Sequence, residues 1–265
     1  MERIRGYFDE MVEQEWQRLA EHVAGRVSFE VHQRFLKAHL SPGAQVLEVG
    51  AGPGRFTAAL AALDATITVS DLSNAQLNAN RKRASLEGFA AQVDDWVELD
   101  IRDTSNFADA TFDAVIAFGG PLSYVFDHAA DALQGLLRIT KPDGVVMASV
   151  MSLWGSWRHL LPATLDFSDD ETDHILSTGD LRRIQPDGHV CQMYSAQSAR
   201  KLVHDSGAEV IAMSASNWGS LDHPDVVENL ESQPERWSRF LDNEVRACAQ
   251  PGAWDGGTHL LFACR

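Results

Sequence analysis

Residues Val46 to Phe56 read VLEVGAGPGRF, and this stretch constrains the fold more than any other. The apolar run Val46, Leu47 and Val49 has the length of a buried parallel strand. It passes directly into glycines at alternate positions, Gly50, Gly52 and Gly54. An alanine-rich segment, Thr57 to Ala62, then has the makings of a helix. A strand, a glycine turn and a helix form the opening unit of a doubly wound α/β sheet, whose ligands bind where strands end in loops. Residues without a Cβ allow backbone to lie against a ligand and to take positive φ at low cost. The dinucleotide fingerprint G-x-G-x-x-G sets its third glycine three positions after the second, whereas here the gap is two. No Walker lysine follows, because Gly54 leads to Arg55 and Phe56. A hydride-transferring enzyme is disfavoured further by the lack of a tyrosine in Y-x-x-x-K spacing.

Glu48, Gly50, Gly52 and Gly54 match position by position the E/D-x-G-x-G-x-G motif I of the class I S-adenosylmethionine (SAM)-dependent methyltransferases, which the stretch therefore resembles. The resemblance implies a Rossmann-like, doubly wound sheet of seven strands in the order 3-2-1-4-5-7-6, with the last strand antiparallel. It places Glu48, Gly50, Ala51, Gly52 and Gly54 around the cofactor S-adenosyl-L-methionine, with S-adenosylhomocysteine as product.

Later segments follow the same plan. Ala65 to Ser70 is rich in β-branched residues and reads as a second strand. Asp71 stands at its end, seventeen residues after Gly54. The resemblance gives this carboxylate the two ribose hydroxyls, since Ser73 is the better N-cap for the next helix. Leu72 then belongs beside the adenine. Helix 73–87 reads as polar on its exposed side (Gln76, Asn80, Arg81, Arg83, Glu87), with Gly88 as its C′ residue. Trp96 to Leu99 reads as a third strand. The family resemblance sets Asp100 at the adenine amino group, with Asp103 as an alternative, and Ile101 against the ring. Phe112 to Phe118 is a buried fourth strand, and Phe118 to Tyr124 falls where methyl donor and acceptor should meet. Lys141-Pro142-Asp143-Gly144 reads as a tight turn before a fifth strand, Val145 to Met151, where the family carries K/R-P-G-G. The likeness covers roughly residues 44–151.

The flanks read differently. Residues 1–43 form an N-terminal helical arm, with apolar Ile4, Phe8, Val12, Trp16 and Leu19 at helical spacing and Gly25 as a break. Some related small-molecule enzymes use such an arm as a lid, which would turn Tyr7, Trp16 and Arg18 inward, Arg18 toward the methionyl carboxylate. The resemblance makes residues 44–265 the methyltransferase domain. Within it, 152–190 is a cap insertion on the acceptor side, in which Trp154, Trp157, Leu160, Leu161, Leu165 and Phe167 crowd together and Asp166 to Asp173 face solvent. Ser195 to Ser206 is a capped helix, Ala208 to Ser214 a sixth strand, and 224–248 mostly helical with Pro234 as a kink or break. Thr258 to Cys264 is the closing strand.

The net charge of −16 repels phosphate backbones. The loop after the fourth strand holds Gly119-Gly120-Pro121 in place of the N-P-P-Y-like tetrapeptide of nucleic-acid amino-methyltransferases. Together they favour a small-molecule acceptor over nucleic acid. Three dispersed cysteines, a charged N-terminus and no long apolar run point to a cytoplasmic protein with reduced thiols, no membrane span and no metal site. A monomer or homodimer is expected. Methyl transfer from a sulfonium needs alignment and exclusion of water more than a nucleophile. Where the acceptor must lose a proton, His128, His159, His189 and Tyr194 are candidates, and Tyr124 and Tyr194 could orient it. A catalytically silent SAM-binding protein would show the same cofactor motifs.

Overall fold

Alternation along the strands sends successive side chains to opposite faces of one sheet. Val46, Ile67, Ala114, Ile116 and Met147 pack on one face, while Leu47, Val49, Val115, Ala117 and Val146 pack on the other. The computed structural model describes residues 2–184 and 190–265. Three helices lead in: α1 (Glu2–Glu10), α2 (Val12–Arg18) and α3 (Val23–His39). The alternating units are β1 (Gln45–Val49), α4 (Arg55–Ala61), β2 (Thr66–Asp71), α5 (Asn74–Glu87), β3 (Val93–Glu98), β4 (Phe112–Ala117), α6 (Ala129–Ile139) and β5 (Thr140–Met151). After β5 come α7 (Leu153–His159), α8 (Leu161–Thr164), α9 (Asp169–Thr178), α10 (Ala196–Asp205), β6 (Val210–Ala215), α11 (Pro224–Glu231), α12 (Pro234–Cys248) and β7 (His259–Cys264).

The sheet order is β3-β2-β1-β4-β5-β7-β6, and β7 runs antiparallel to both of its neighbours. This is the expected class I methyltransferase topology. Helices α3, α4 and α5 cover one face, and α6 and α10 cover the other. The carboxyl ends of β1, β2 and β4 therefore open onto a common edge, where an α/β sheet holds its ligand.

Several local expectations change. Strand β3 starts at Val93, three residues before Trp96, because Val93 already pairs with Ile67. The segment Lys141–Gly144 is no tight turn. Phe112 pairs with Thr140 and Ala114 with Val145, so Asp113 alone stands opposite a bulged Lys141–Gly144. Lys141 Nζ binds Asp113 Oδ1 at 2.7 Å across this bulge. A Cβ on Gly144 would lie 2.6 Å from the Asp113 carbonyl oxygen, which accounts for the glycine. Gly25 is no break either, since α3 runs through it and the chain turns at residues 19–22. There a Cβ would come within 2.5 Å of the Arg18 carbonyl oxygen, so this glycine permits close approach of the arm to its own next helix. Pro234 does break the helical run and occupies the first turn of α12.

After β5, Leu153 and Trp157 turn inward with Ile175, Cys191 and Met193, and Trp157 meets Phe167 at 6.3 Å. Trp154, Leu160, Leu161 and Leu165 do not join them and stay exposed: Trp154 lies off the Leu153–Trp157 stripe, and α7 ends at His159, before the other three. The acidic run begins α9, where Ser168 and Glu171 form a capping box and carboxylates suit the helix dipole.

Gly155 lets α7 press against the loop before β7: a Cβ there would lie 1.7 Å from the Gly257 carbonyl oxygen. We expect Gly155→Ala to cost about 1–3 kcal/mol or more in a denaturant melt, as overpacking does. Gly252→Ala, with open space around it, should melt like the wild type.

Candidate functional site

The turn after β1 is built for a ligand by its own backbone. Gly50, Gly52 and Gly54 all take positive φ (68°, 55° and 109°). A Cβ on Gly50 would sit 2.6 Å from Pro121 Cγ, so the loop after β4 closes directly over this turn. At the end of β2 the buried Asp71 accepts from Gly52 N through Oδ2 and from Ser73 N through Oδ1, both at 2.8 Å. Each oxygen keeps a second lone pair, so the carboxylate can also receive two hydroxyl groups. Ser73 caps α5 as expected, accepting from Gln76 N at 3.1 Å.

Beneath the turn lies a buried polar relay. Asn80 Nδ2 donates to Thr57 Oγ1 at 2.7 Å, and Thr57 Oγ1 donates to Glu48 Oε2 at 2.6 Å. Trp96 Nε1 donates to Asn80 Oδ1 at 3.1 Å, joining β3 to the same relay. Asn80 and Gln76 are thus fully buried, not on the exposed side of α5, because they satisfy groups of the turn and of the arm. A helical wheel, which sends polar residues outward by default, hides both.

Above these groups is a cleft with about 850 Å³ of space, its open mouth included. Gly50, Ala51, Gly52, Asp71, Leu72, Ile101, Phe118, Tyr124 and Arg18 stand on its wall. Pro121, from the loop expected beside the methyl group, is there too; unforeseen neighbours include Ile4, Phe8 and Leu19 from the arm, and Gln76 and Leu99. The apolar spacing of the arm contained the signal for Ile4, Phe8 and Leu19. Glu48 lies under the turn and Gly54 begins α4, both off the wall. Asp100 turns away to a paired geometry with Arg102, Nη2 to Oδ2 at 2.6 Å. Burial alone would raise its carboxyl, but the Arg102 guanidinium holds it below the usual range. Tyr7 packs edge-on to Phe8 and is off the wall.

Trp16 does not face inward. Its ring lies between two guanidinium groups, Arg55 at 3.7 Å and Arg83 at 4.1 Å, which fasten α2 to α4 and α5. Arg18 reaches the cleft while its Nε donates to Glu15 at 3.0 Å. On the acceptor side, Tyr124 meets Phe8 edge-on at 5.5 Å. His128 and His159 are exposed and off the wall, and Tyr194 is buried beside Met151 with its backbone N–H donating to the Met151 carbonyl. His189 lies outside the described residues. Sequence reasoning overlooked His32, which is buried behind the cleft between Phe56 and Phe118. Its Nδ1 donates to the Ser28 carbonyl at 2.7 Å, and burial pushes the ring down to about 4, so it is neutral.

The family model described as a methyltransferase domain matches residues 46–144. The matched segment is thus similar to a methyltransferase domain, and the sheet that carries it has the class I strand order. Its sequence is 33% identical over 109 residues to an uncharacterized protein of Mycobacterium tuberculosis (strain ATCC 25618 / H37Rv), covering 41% of this chain and 38% of that one. It is 36% identical over 108 residues to a demethylmenaquinone methyltransferase of Mycobacterium sp. (strain KMS), covering 40% of each. The match thus spans about two-fifths of the length of these curated relatives. A chain from the Haloferax volcanii complex of the Trm112 methyltransferase activator with a methyltransferase superposes with a TM-score of 0.64 at 16% identity, covering 98% of this chain and 96% of that one. That likeness is one of fold.

The cofactor of such a methyltransferase domain is S-adenosyl-L-methionine, and the cleft suits it. Asp71 has acceptor capacity to spare, Gly52 leaves room beside it, and Leu72, Leu99 and Ile101 offer apolar surface to a flat ring. No helix among the described residues is long and apolar enough to cross a membrane.

Burial pushes the Glu48 carboxyl from its ordinary 4.5 up to about 8, with the Asp71 charge adding to burial and the Thr57 hydroxyl opposing it. Burial likewise moves Asp71 from 3.8 to about 6, against the backbone N–H groups of Ser73, Gly52 and Leu72. Both groups hold protons more tightly folded than unfolded. Their contribution to stability is therefore greatest at low pH and is lost as pH rises, through about 6 for Asp71 and about 8 for Glu48. We expect Glu48→Gln to exceed the wild type by a few kcal/mol in thermal melts at pH 8, at ~1.4 kcal/mol per pKa unit, and the gap to close toward pH 5. Parallel pH profiles for the two proteins would show that Glu48 ionises without penalty.

Proposed function

We propose that this chain is an S-adenosylmethionine-dependent methyltransferase acting on a small molecule. The observation that carries the reading is the cleft at the carboxyl ends of β1, β2 and β4, where the glycine turn and Asp71 meet beneath largely apolar walls. When bound, the cofactor supplies a methyl group already activated on a sulfonium. Asp71 holds the sugar, with the turn Gly50–Gly54 supplying backbone beside it. Leu72, Leu99 and Ile101 flank the base, and Arg18 pairs with the carboxylate of the methionyl end. Helices α1 and α2, within an arm spanning residues 1–43, close the cleft and exclude water. Tyr124, Pro121 and Phe118 line the acceptor side, and Leu153 and Ile175 of the expected cap insertion (152–190) pack in one cluster with Tyr124.

Alignment and dehydration are the chain's main contributions, as no histidine stands among the described residues lining the cleft. An acidic protein with Gly119-Gly120-Pro121 after β4 is poorly suited to a nucleic-acid acceptor. The naming of several curated relatives as demethylmenaquinone methyltransferases adds support for a small-molecule acceptor. Three buried free cysteines accord with a cytoplasmic setting, in which a monomer or homodimer suffices.

Calorimetry with S-adenosylhomocysteine and with NADH tests the cofactor, and methyl transfer to a panel of amine, phenol, thiol and carboxylate acceptors tests the reaction. Binding of S-adenosylhomocysteine and not NADH is expected. Asp71→Ala should weaken that binding by about 1–3 kcal/mol, the cost of leaving buried polar groups unpaired. An unchanged dissociation constant would remove Asp71 from the site, and preference for NADH would overturn the assignment.

A further inference from the structure

Gln76 of α5 has a polar end that packing does not require. The residue is fully buried and stands on the cleft wall. Its Nε2 donates at 2.7 Å to the backbone carbonyl of Phe8, in α1 of the arm. A carbonyl oxygen can only accept, so the amide is oriented without ambiguity: nitrogen toward the arm, oxygen away from it. That oxygen, Oε1, is buried and has no hydrogen-bond partner. It lies 3.9 Å from the position a Cβ on Gly52 would occupy, beside the bond from Gly52 N to Asp71. An acceptor left unpaired in a dry site is destabilising, and methionine or leucine would fill the volume without that penalty.

The outer part of the arm, α1 and α2, which Gln76 holds, is lightly anchored. Neither α1 nor α2 contains a buried residue. Besides the Gln76 bond, the ties of α1 include Asp9, which accepts from the Ser73 hydroxyl, Arg5 on Glu98 at 2.6 Å, and the Phe8 ring edge-on to Tyr124. A segment with so few buried contacts opens at small cost, and its closure responds to single hydrogen bonds.

We propose that Gln76 couples cofactor binding to closure of the arm: its oxygen accepts a hydrogen bond from a sugar hydroxyl of the bound nucleoside while its nitrogen holds Phe8. This rests on the reading that the cleft binds SAM with its sugar at Asp71. The two contacts share one amide group, so each favours the other, and coupling of this kind is reciprocal.

Hydrogen exchange of residues 2–10, with and without S-adenosylhomocysteine, reads the coupling, and calorimetry with that compound and its 2′-deoxy and 3′-deoxy analogues reads the contact. In the wild type the ligand should slow exchange across α1. Gln76→Met, with Gln76→Leu in parallel, should melt no lower than the wild type, bind about tenfold more weakly and lose most of that protection. With one of the deoxy analogues the tenfold gap between wild type and variant should vanish, which a purely structural role would not produce. Wild-type affinity in both variants, full protection of α1 in them, or an undiminished gap with both analogues overturns the proposal. A wild type that binds no S-adenosylhomocysteine overturns the cofactor reading itself, and this inference with it.

Discussion

Two backbone N–H groups from different turns converge on one carboxylate. Asp71 takes Gly52 N, from the turn leaving β1, and Ser73 N, from the turn entering α5, each at 2.8 Å. The carboxylate is buried, and burial drives its proton affinity up while these donors hold it down. This bond pair sets the spacing between the glycine turn and α5, and with it the floor of the cleft. Ala51 N donating to the Ser70 carbonyl at 3.0 Å closes the same junction from below. The relay of Asn80, Thr57 and Glu48 then braces the turn against α4 and β3.

A rigid floor is roofed by a more loosely held arm. The sheet and its helices bury continuous apolar clusters on both faces, whereas α1 and α2 rest on ion pairs, a tryptophan between two arginines and a few bonds to backbone. Such a division suits a site that must hold its ligand in fixed register yet admit and release it. The glycines follow the same division. Gly50 yields to Pro121 and Gly25 to the Arg18 carbonyl, so close approach rather than looseness explains both.

Much of this architecture was legible in the sequence, because alternating apolar runs and the order strand, glycine turn, helix leave few topologies open. The placement of Asp71 at the end of β2 follows from that, whereas the strand order came from the resemblance that motif I carries. What could not be read were features set by tertiary partners. Gln76 and Asn80 look like solvent-facing residues on a wheel, and only the neighbouring turn and arm make them interior. Lys141–Gly144 resembles a turn in isolation, yet its shape is set by Asp113 across the sheet. Trp16 carries an apolar signal but packs between guanidinium groups that lie 39 and 67 residues away in sequence. His32 sits one position from the apolar stripe of α3, so periodicity gave no reason to select it.

The central claim, that the glycine turn and Asp71 together cradle a sulfonium nucleoside, is tested most directly by a crystal structure with S-adenosylhomocysteine bound. The account predicts the sugar hydroxyls within hydrogen-bond distance of the Asp71 carboxylate and the base between Leu72 and Ile101. A nucleoside bound elsewhere, or an Asp71 side chain rotated away from its sugar, would contradict it.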